Sequence, residues 1–118
     1  MQYTIQMQKL QNKRCIPCEQ KKGTAPLSKE AIDQLFVELT GWEIAKNYKS
    51  IVKDLVFTNF DKAMDFVNVV ADLAEFEGHH PDIDIRYNKV KLVLSTHSIG
   101  GLSENDFILA AKIDRIFL

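Results

Sequence analysis

The chain has 118 residues, of which 46% are hydrophobic and 26% are charged. This composition and length predict a single globular domain with one hydrophobic core. Fifteen Lys and Arg against 16 Asp and Glu leave a formal net charge of -1, so no strong field attracts nucleic acid or an anionic membrane surface. No apolar run approaches the roughly 20 residues of a membrane span, and the N-terminus lacks a secretory signal, which favours a cytoplasmic protein.

The first 26 residues differ in character from the rest of the chain. They show no sustained hydrophobic period and contain Pro17, Gly23 and Pro26, and residues 1–22 hold five basic side chains against Glu19 alone. This pattern predicts an N-terminal arm that lies on the surface or frays. The domain proper is expected to span residues 27–118.

The arm contains the two cysteines of the chain, Cys15 and Cys18, in a C-x-x-C spacing. A zinc site needs two further ligands nearby, and a redox pair of this kind normally opens a helix that follows a strand. The pair precedes any recognisable helix or strand in the sequence. The spacing by itself is weak support for either function.

The first predicted helix covers residues 28–40, with Ser28 as its N-cap and Gly41 as its stop. Between residues 42 and 57, β-branched and aromatic residues surround a polar break at residues 46–50. This arrangement predicts two antiparallel strands joined by a turn.

A long helix is predicted over residues 60–77, with Asn59 as its N-cap. Its apolar residues form two stripes rather than one. An arc this wide predicts a second packing partner, either another copy of the chain or the two other helices. The stripes are Phe60, Ala63, Met64, Val67, Val70, Ala71 and Ala74, and then Phe66, Val69, Leu73 and Phe76.

The remaining third of the chain is predicted to form a second hairpin and a last helix. Gly78 ends the long helix, and Pro81 prevents its resumption. Two alternating strands then flank a turn at residues 88–89, and Ser103 with Asp106 resembles a capping box. The C-terminal helix is expected to bury Phe107, Ile108, Ala110, Ala111, Ile113 and Ile116. The predicted order is helix, two strands, helix, two strands, helix. This α+β order predicts a two-layer domain with a four-stranded antiparallel sheet.

All three histidines of the chain lie within 19 residues, at positions 79, 80 and 97. His79 and His80 follow the C-terminus of the long helix, where the helix dipole favours the imidazolium form. His97 is placed at the end of a strand, out of phase with Leu92 and Leu94, so it is expected on the opposite face of the sheet. The three side chains are candidates for acid/base catalysis.

Each of these positions also fits an ordinary structural role. A histidine at a helix end or after a strand is commonly a surface residue, and Asp106 and Trp42 can serve as a helix cap and a core residue. Zinc binding is a further alternative, because the histidines with Asp82, Asp84 or Asp106 supply suitable ligand types. Adjacent histidines point apart, however, and neither H-x-H nor H-x-x-x-H occurs, so acid/base use is favoured over metal binding.

One continuous pattern connects these positions. It consists of Glu75, three residues, His79-His80-Pro81, five residues, Tyr87, nine residues, His97, eight residues and Asp106. Four further segments support the pattern, namely residues 39–42, 87–90, 94–97 and 101–106. With this pattern the sequence resembles the pterin-4a-carbinolamine dehydratase family from about Cys15 to Ile116.

The resemblance implies a four-stranded antiparallel sheet with three helices on one side, in a homodimer or homotetramer. It implies a dehydratase that converts a 4a-hydroxytetrahydropterin to the quinonoid dihydropterin, without cofactor or metal. His79, His80 and His97 would be the catalytic residues. Glu75, Trp42, Pro81 and Asp106 would bind substrate or support the pocket.

Some family members also serve as dimerisation cofactors of a transcription factor. A protein-binding module of the same fold is therefore the alternative function, and the broad apolar arc of the long helix is the surface that would serve it.

Overall fold

In the computed structural model of the chain, residues 9–16 and 25–117 are described. They contain helices α1 (Lys29–Phe36), α2 (Phe60–Glu77) and α3 (Glu104–Asp114), and strands β1 (Glu43–Ile44), β2 (Ile51–Val56), β3 (Asp82–Arg86) and β4 (Lys89–Leu94). Short 3-10 helices cover Leu10–Asn12, His97–Ile99 and Arg115–Phe117. The predicted α-β-β-α-β-β-α order is confirmed. None of the helices in these ranges combines the length and apolarity that a membrane crossing requires.

The four strands form one antiparallel sheet in the order β1-β2-β4-β3. Ile51 pairs with Leu94, and Leu55 pairs with Val90, so the alternate residues of β2 and β4 share a buried face. The opposite face carries the charged row Asp54, Lys91 and Asp84 and is exposed. A sheet with one buried and one wet face is the two-layer arrangement that the alternating strands predict.

Helix α1 begins as predicted and ends earlier. Ser28 Oγ accepts a hydrogen bond from the Ala31 N–H at 3.2 Å, which is the expected N-cap. The predicted end at residue 40 is wrong, because the helix stops at Phe36. The next N–H groups bond three residues back instead of four, and the Thr40 N–H is taken by Asp114 Oδ2 at 2.9 Å. A tertiary acceptor therefore competes with the last turn of the helix.

Helix α2 has the predicted bounds, but its buried face differs from the predicted stripes. Phe66 belongs to the core, where its ring centroid lies 5.2 Å from that of Phe57. Phe60 and Ala71, both predicted in the core stripe, are exposed. The helix packs on α3 and β4, and these two elements cover only the middle of its apolar arc. Val69 and Phe76 remain 47% and 65% exposed.

The second hairpin turns one residue earlier than predicted. Arg86 pairs with Lys89, so Tyr87 and Asn88 form the two-residue turn instead of Asn88 and Lys89. Tyr87 has a φ of 55°, a conformation typical of two-residue hairpin turns. The Asn88 side chain donates to Phe57 O at 2.8 Å, which ties the turn to the end of β2.

Part of the predicted N-terminal arm belongs to the folded unit. Leu10 is 1% exposed and lies in the hydrophobic core, and its N–H donates to Glu38 Oε1 at 3.1 Å. The expectation of a segment outside the core therefore does not hold at Leu10. No hydrophobic period marks a single buried leucine, so the sequence carried no signal for this contact.

Candidate active site

The end of α2 sets the positions of His79 and His80. Gly78 has a φ of 68°, and the N–H groups of Gly78 and His79 both donate to Ala74 O, at 2.9 and 3.2 Å. A left-handed residue at this position is common after a helix because it satisfies the last carbonyls. The chain therefore leaves the helix sharply, and the two histidines follow at once.

His79 forms a buried pair with Asp106 of α3. Its Nε2 lies 2.6 Å from Asp106 Oδ1, and the two residues are 4% and 0% exposed. The second carboxylate oxygen, Oδ2, accepts hydrogen bonds from Thr96 Oγ1 at 2.8 Å and from the Ser103 N–H at 2.9 Å. Three groups from separate parts of the chain thus hold one buried carboxylate.

His80 makes a similar contact at the surface. Its Nε2 lies 2.6 Å from Glu75 Oε1, and the two side chains are 60% and 79% exposed. The adjacent histidines therefore turn to different carboxylates, one inside the protein and one in solvent. Pro81, half-buried, separates His80 from the start of β3.

His97 is exposed, but its predicted place on the opposite face of the sheet is wrong. It opens the 3-10 helix that follows β4 and is not part of the strand, so the predicted strand phase does not apply to it. The preceding residue, Thr96, pairs with Gly101 and bonds to Asp106. His97 is thereby linked through the backbone to the carboxylate that binds His79.

Trp42 lies at the opposite end of α3. Its Nε1 donates to Asp114 Oδ1 at 2.8 Å, and Lys53 Nζ lies 3.0 Å from the same oxygen. Asp114 is eight residues after Asp106 in α3, which corresponds to about 12 Å along a helix. The buried indole therefore packs in the core beside Lys53, away from the end of α3 at which His79 and Asp106 meet.

The Cys15 thiol is partly buried. Burial, together with the charge of Glu77, raises the pKa of Cys15 to about 12, so its thiol stays protonated at neutral pH, whereas metal ligands and nucleophiles are thiolates. Cys18 lies outside the described residues. Among residues 9–16 and 25–117, no three His, Cys, Asp or Glu side chains converge as metal ligands do.

Sequence reasoning missed several polar residues beside the site. Thr96, Glu77 and Asn105 are buried, and each bonds to a residue of another segment of the chain. Glu77 accepts from the Cys15 N–H at 2.9 Å, while Asn105 Oδ1 accepts from the Ile16 N–H at 2.9 Å. The only signal available beforehand was the capping box of Ser103 and Asp106, which the structure contains.

The histidine cluster lies apart from a larger cavity of the fold. This cavity, of about 760 Å³, lies between the N-terminal segment, α1, β2 and α3, and is lined by Leu10, Leu35, Lys53, Leu55 and Asp114 among others. None of the three histidines lines it. The bonds of His79 and Thr96 to Asp106 instead join the end of α2, the loop after β4 and the start of α3.

Comparison with known proteins agrees with this architecture. The family model described as pterin 4 alpha carbinolamine dehydratase matches residues 25–116. A relative from Nitrosospira multiformis that carries this family's name is 51% identical over 110 residues, which cover 92% of each chain. The mitochondrial pterin-4-alpha-carbinolamine dehydratase 2 of Arabidopsis thaliana is 41% identical over 110 residues, 91% of this chain and 58% of that protein.

Two solved structures have the same fold. A Brucella melitensis protein titled transcriptional coactivator/pterin dehydratase superposes with a TM-score of 0.73 at 31% identity, covering 77% of this chain and 97% of that chain. A pterin dehydratase-like RuBisCO assembly factor of the alpha-carboxysome superposes with a TM-score of 0.56 at 21% identity, over 67% of this chain and 92% of its own. The match over residues 25–116 and the relatives at 41–51% identity place this chain in the pterin-4a-carbinolamine dehydratase family.

Proposed function

We propose that the protein is a 4a-hydroxytetrahydropterin dehydratase that acts by histidine acid/base catalysis in tetrahydrobiopterin recycling. The observation that carries the proposal is the pair of adjacent histidines, each bonded at 2.6 Å to its own carboxylate. Two imidazoles in different surroundings, one buried and one exposed, supply the acid and base that dehydration requires.

The reaction needs no change of oxidation state. The C4a–O bond breaks as its electron pair moves to oxygen, and the departing hydroxyl takes a proton from a histidine to leave as water. The ring nitrogen N5 loses its proton to a base, and the electron pair left on N5 forms the C4a=N5 bond of the quinonoid dihydropterin. Imidazole, with an ordinary pKa of about 6.5, serves in either direction near neutral pH.

We assign His79 or His80 as the acid for the departing hydroxyl, according to which face of the pterin carries it. His97, exposed beside the network of Asp106, binds the pterin and assists loss of the N5 proton. Asp106 orients His79, and Glu75 orients His80, because each carboxylate engages Nε2 of its ring. Pro81 keeps the chain extended after the two histidines.

The test is stopped-flow absorbance of freshly generated 4a-hydroxytetrahydropterin as it decays to the quinonoid dihydropterin. We expect the chelator-treated protein to accelerate the decay and His79→Ala, His80→Ala and His97→Ala each to lose at least tenfold in turnover. Asp82→Ala, an exposed change near the site, is the matched control. Unchanged rates in all three histidine variants would reject the assignment, and a protein without activity would reject the function.

The chain is further proposed to act as a homodimer or homotetramer. Val69, Leu73 and Phe76 lie on one side of α2 at helical spacing, and all three remain at least partly exposed. Covering such a row with a second copy removes apolar surface from water. Analytical ultracentrifugation of wild type and Val69→Asp measures the mass of each in solution. We expect a lower mass for Val69→Asp than for wild type. A monomeric wild-type protein would contradict the proposal.

The exposed apolar side of α2 formed by Val69, Leu73 and Phe76 also supports the alternative function, a protein-binding module. In that case a different protein would cover Val69 and Phe76, and the histidines would be dispensable. Retained partner binding by His80→Ala, together with no acceleration of pterin dehydration by wild type, would identify the alternative as the correct function.

A further inference from the structure

Thr96 occupies the centre of a directed chain of hydrogen bonds. Its Oγ1 donates to Asp106 Oδ2 at 2.8 Å and lies 2.7 Å from Ser103 Oγ. A hydroxyl has one proton to donate, and that of Thr96 is used toward Asp106. The Ser103 hydroxyl must therefore donate to Thr96, and every bond in the chain points toward the carboxylate.

The direction of this chain determines which ring nitrogen of His79 carries a proton. Asp106 is fully buried and already accepts Thr96 Oγ1 and the Ser103 N–H on Oδ2. Two such donors stabilise an ionised carboxylate, which only accepts hydrogen bonds. The 2.6 Å contact between Asp106 Oδ1 and His79 Nε2 then requires the proton to be on Nε2.

The other ring nitrogen, Nδ1, is left for a second partner. No buried side-chain nitrogen or oxygen in residues 9–16 and 25–117 lacks a hydrogen bond. The contact found for His79 uses Nε2, so Nδ1 must retain solvent access even though the residue as a whole is buried. Nδ1 is therefore the atom of His79 that can exchange a proton with a bound molecule.

We propose that Thr96 is a positioning residue that acts through Asp106 to hold His79 in its Nε2–H form, with Nδ1 as the nitrogen that exchanges protons. The inference rests on the proposed dehydratase function for its catalytic consequence and on geometry alone for its tautomer. If Thr96 no longer supports Oδ2, the carboxylate can rotate and the His79 ring loses its fixed partner. Thr96 itself need not touch substrate.

The experiment compares Thr96→Val, which removes the hydroxyl at nearly constant volume, with Thr96→Ser, which keeps it. Ring ¹⁵N chemical shifts of His79 report the tautomer in uniformly labelled protein. We expect a single Nε2–H tautomer for neutral His79 in wild type and Thr96→Ser, and a mixture in Thr96→Val. In the stopped-flow assay, kcat should fall about tenfold in Thr96→Val with KM little changed, and Thr96→Ser should recover most of the loss.

Ser103→Ala provides a second measurement in case Thr96→Val does not fold. It removes the hydroxyl that donates to Thr96 and keeps the Ser103 N–H, so the same tautomer change is expected to a smaller degree. Thr58→Val, on an exposed loop, is the matched control and should change nothing.

The outcomes separate the positioning role of Thr96 from the proposed function. If the His79 tautomer changes in Thr96→Val but the wild-type protein has no dehydratase activity, the function is rejected and the positioning role is supported. An active enzyme whose His79 tautomer and kcat are the same in Thr96→Val and wild type would overturn the positioning role. A Thr96→Ser variant as impaired as Thr96→Val would also overturn it, because the hydroxyl would then not be the group that matters.

Discussion

At the scale of single residues, Cys15 illustrates how a suggestive spacing acquires a structural role. Its N–H donates to the buried Glu77, and its Sγ lies 3.6 Å from Asn105 O. Both contacts fasten the N-terminal segment beside the histidine site. The first half of the C-x-x-C pair is therefore a packing residue with a protonated thiol.

The reactivity of Cys15 tests this directly. Because burial raises its pKa to about 12 from the ordinary 9.0, little thiolate exists in the folded protein at pH 8. In a Cys18→Ser background, iodoacetamide should alkylate folded Cys15 slower than the urea-unfolded chain by on the order of 100-fold or more. Mass spectrometry of the Cys15 peptide over time gives both rates. Equal rates would show that the thiol is not buried against Glu77.

At the scale of elements, the caps of α2 explain why its bounds were predictable. Asn59 accepts from the Lys62 N–H at 2.9 Å at the start, and Gly78 adopts the left-handed conformation at the end. Each signal is local, so it can be recognised without knowledge of the fold. The end of α1 was not predictable in this way, because it depends on Asp114, 74 residues from Thr40.

Replacing Gly78 tests the contribution of the left-handed cap. A Cβ added at Gly78 would meet no atom within 4 Å, so Gly78→Ala isolates the backbone cost of a positive φ. The free energy of unfolding should fall by about 1 kcal/mol, measured by urea denaturation. Gly78→Asn is the matched comparison and should lose less, since Asn tolerates this conformation. An alanine variant as stable as wild type would show that the turn can relax.

At the scale of the whole molecule, Glu77 joins the N-terminal segment to the domain. Burial by itself raises the pKa of this carboxyl, but the Cys15 N–H, the Lys112 ammonium and the Arg14 guanidinium outweigh burial and hold the pKa below its ordinary value. Lys112 Nζ lies 2.5 Å from Glu77 Oε2. Three parts of the chain thus meet at one carboxylate, two residues before His79.

This lowered pKa makes stability depend on pH. The ionised carboxylate stabilises the fold fully above the unfolded-state value, near the ordinary 4.5, and this stabilisation is lost as pH falls through the lower folded-state pKa. Glu77→Gln should therefore lose about 2 kcal/mol of unfolding free energy at pH 7 and show a smaller further loss below pH 4.5. Urea denaturation across this range measures both.

Glu43→Gln, at an exposed position of β1, is the control for the charge change alone. It should leave stability at pH 7 nearly unchanged. If Glu77→Gln had the same stability as this control at every pH, the contacts of Glu77 with Cys15 and Lys112 would not contribute to folding.

Local signals in the sequence were sufficient to predict the element order and the sheet class. Hydrophobic periods, caps and the spacing from Glu75 to Asp106 all depend on neighbours along the chain, so a single sequence displays them. These signals placed His79, His80 and His97 near one another in the chain and predicted Asp106 as a cap.

How these side chains meet depends on tertiary packing. His79 and Asp106 are 27 residues apart, Cys15 and Glu77 are 62 apart, and Trp42 and Asp114 are 72 apart. Such contacts arise when helices pack on a sheet, and the polar groups they bury must find partners wherever the fold brings them. For this reason Trp42 bonds to Asp114 at the far end of α3. His79, Thr96 and Ser103 all bond to the Asp106 carboxylate.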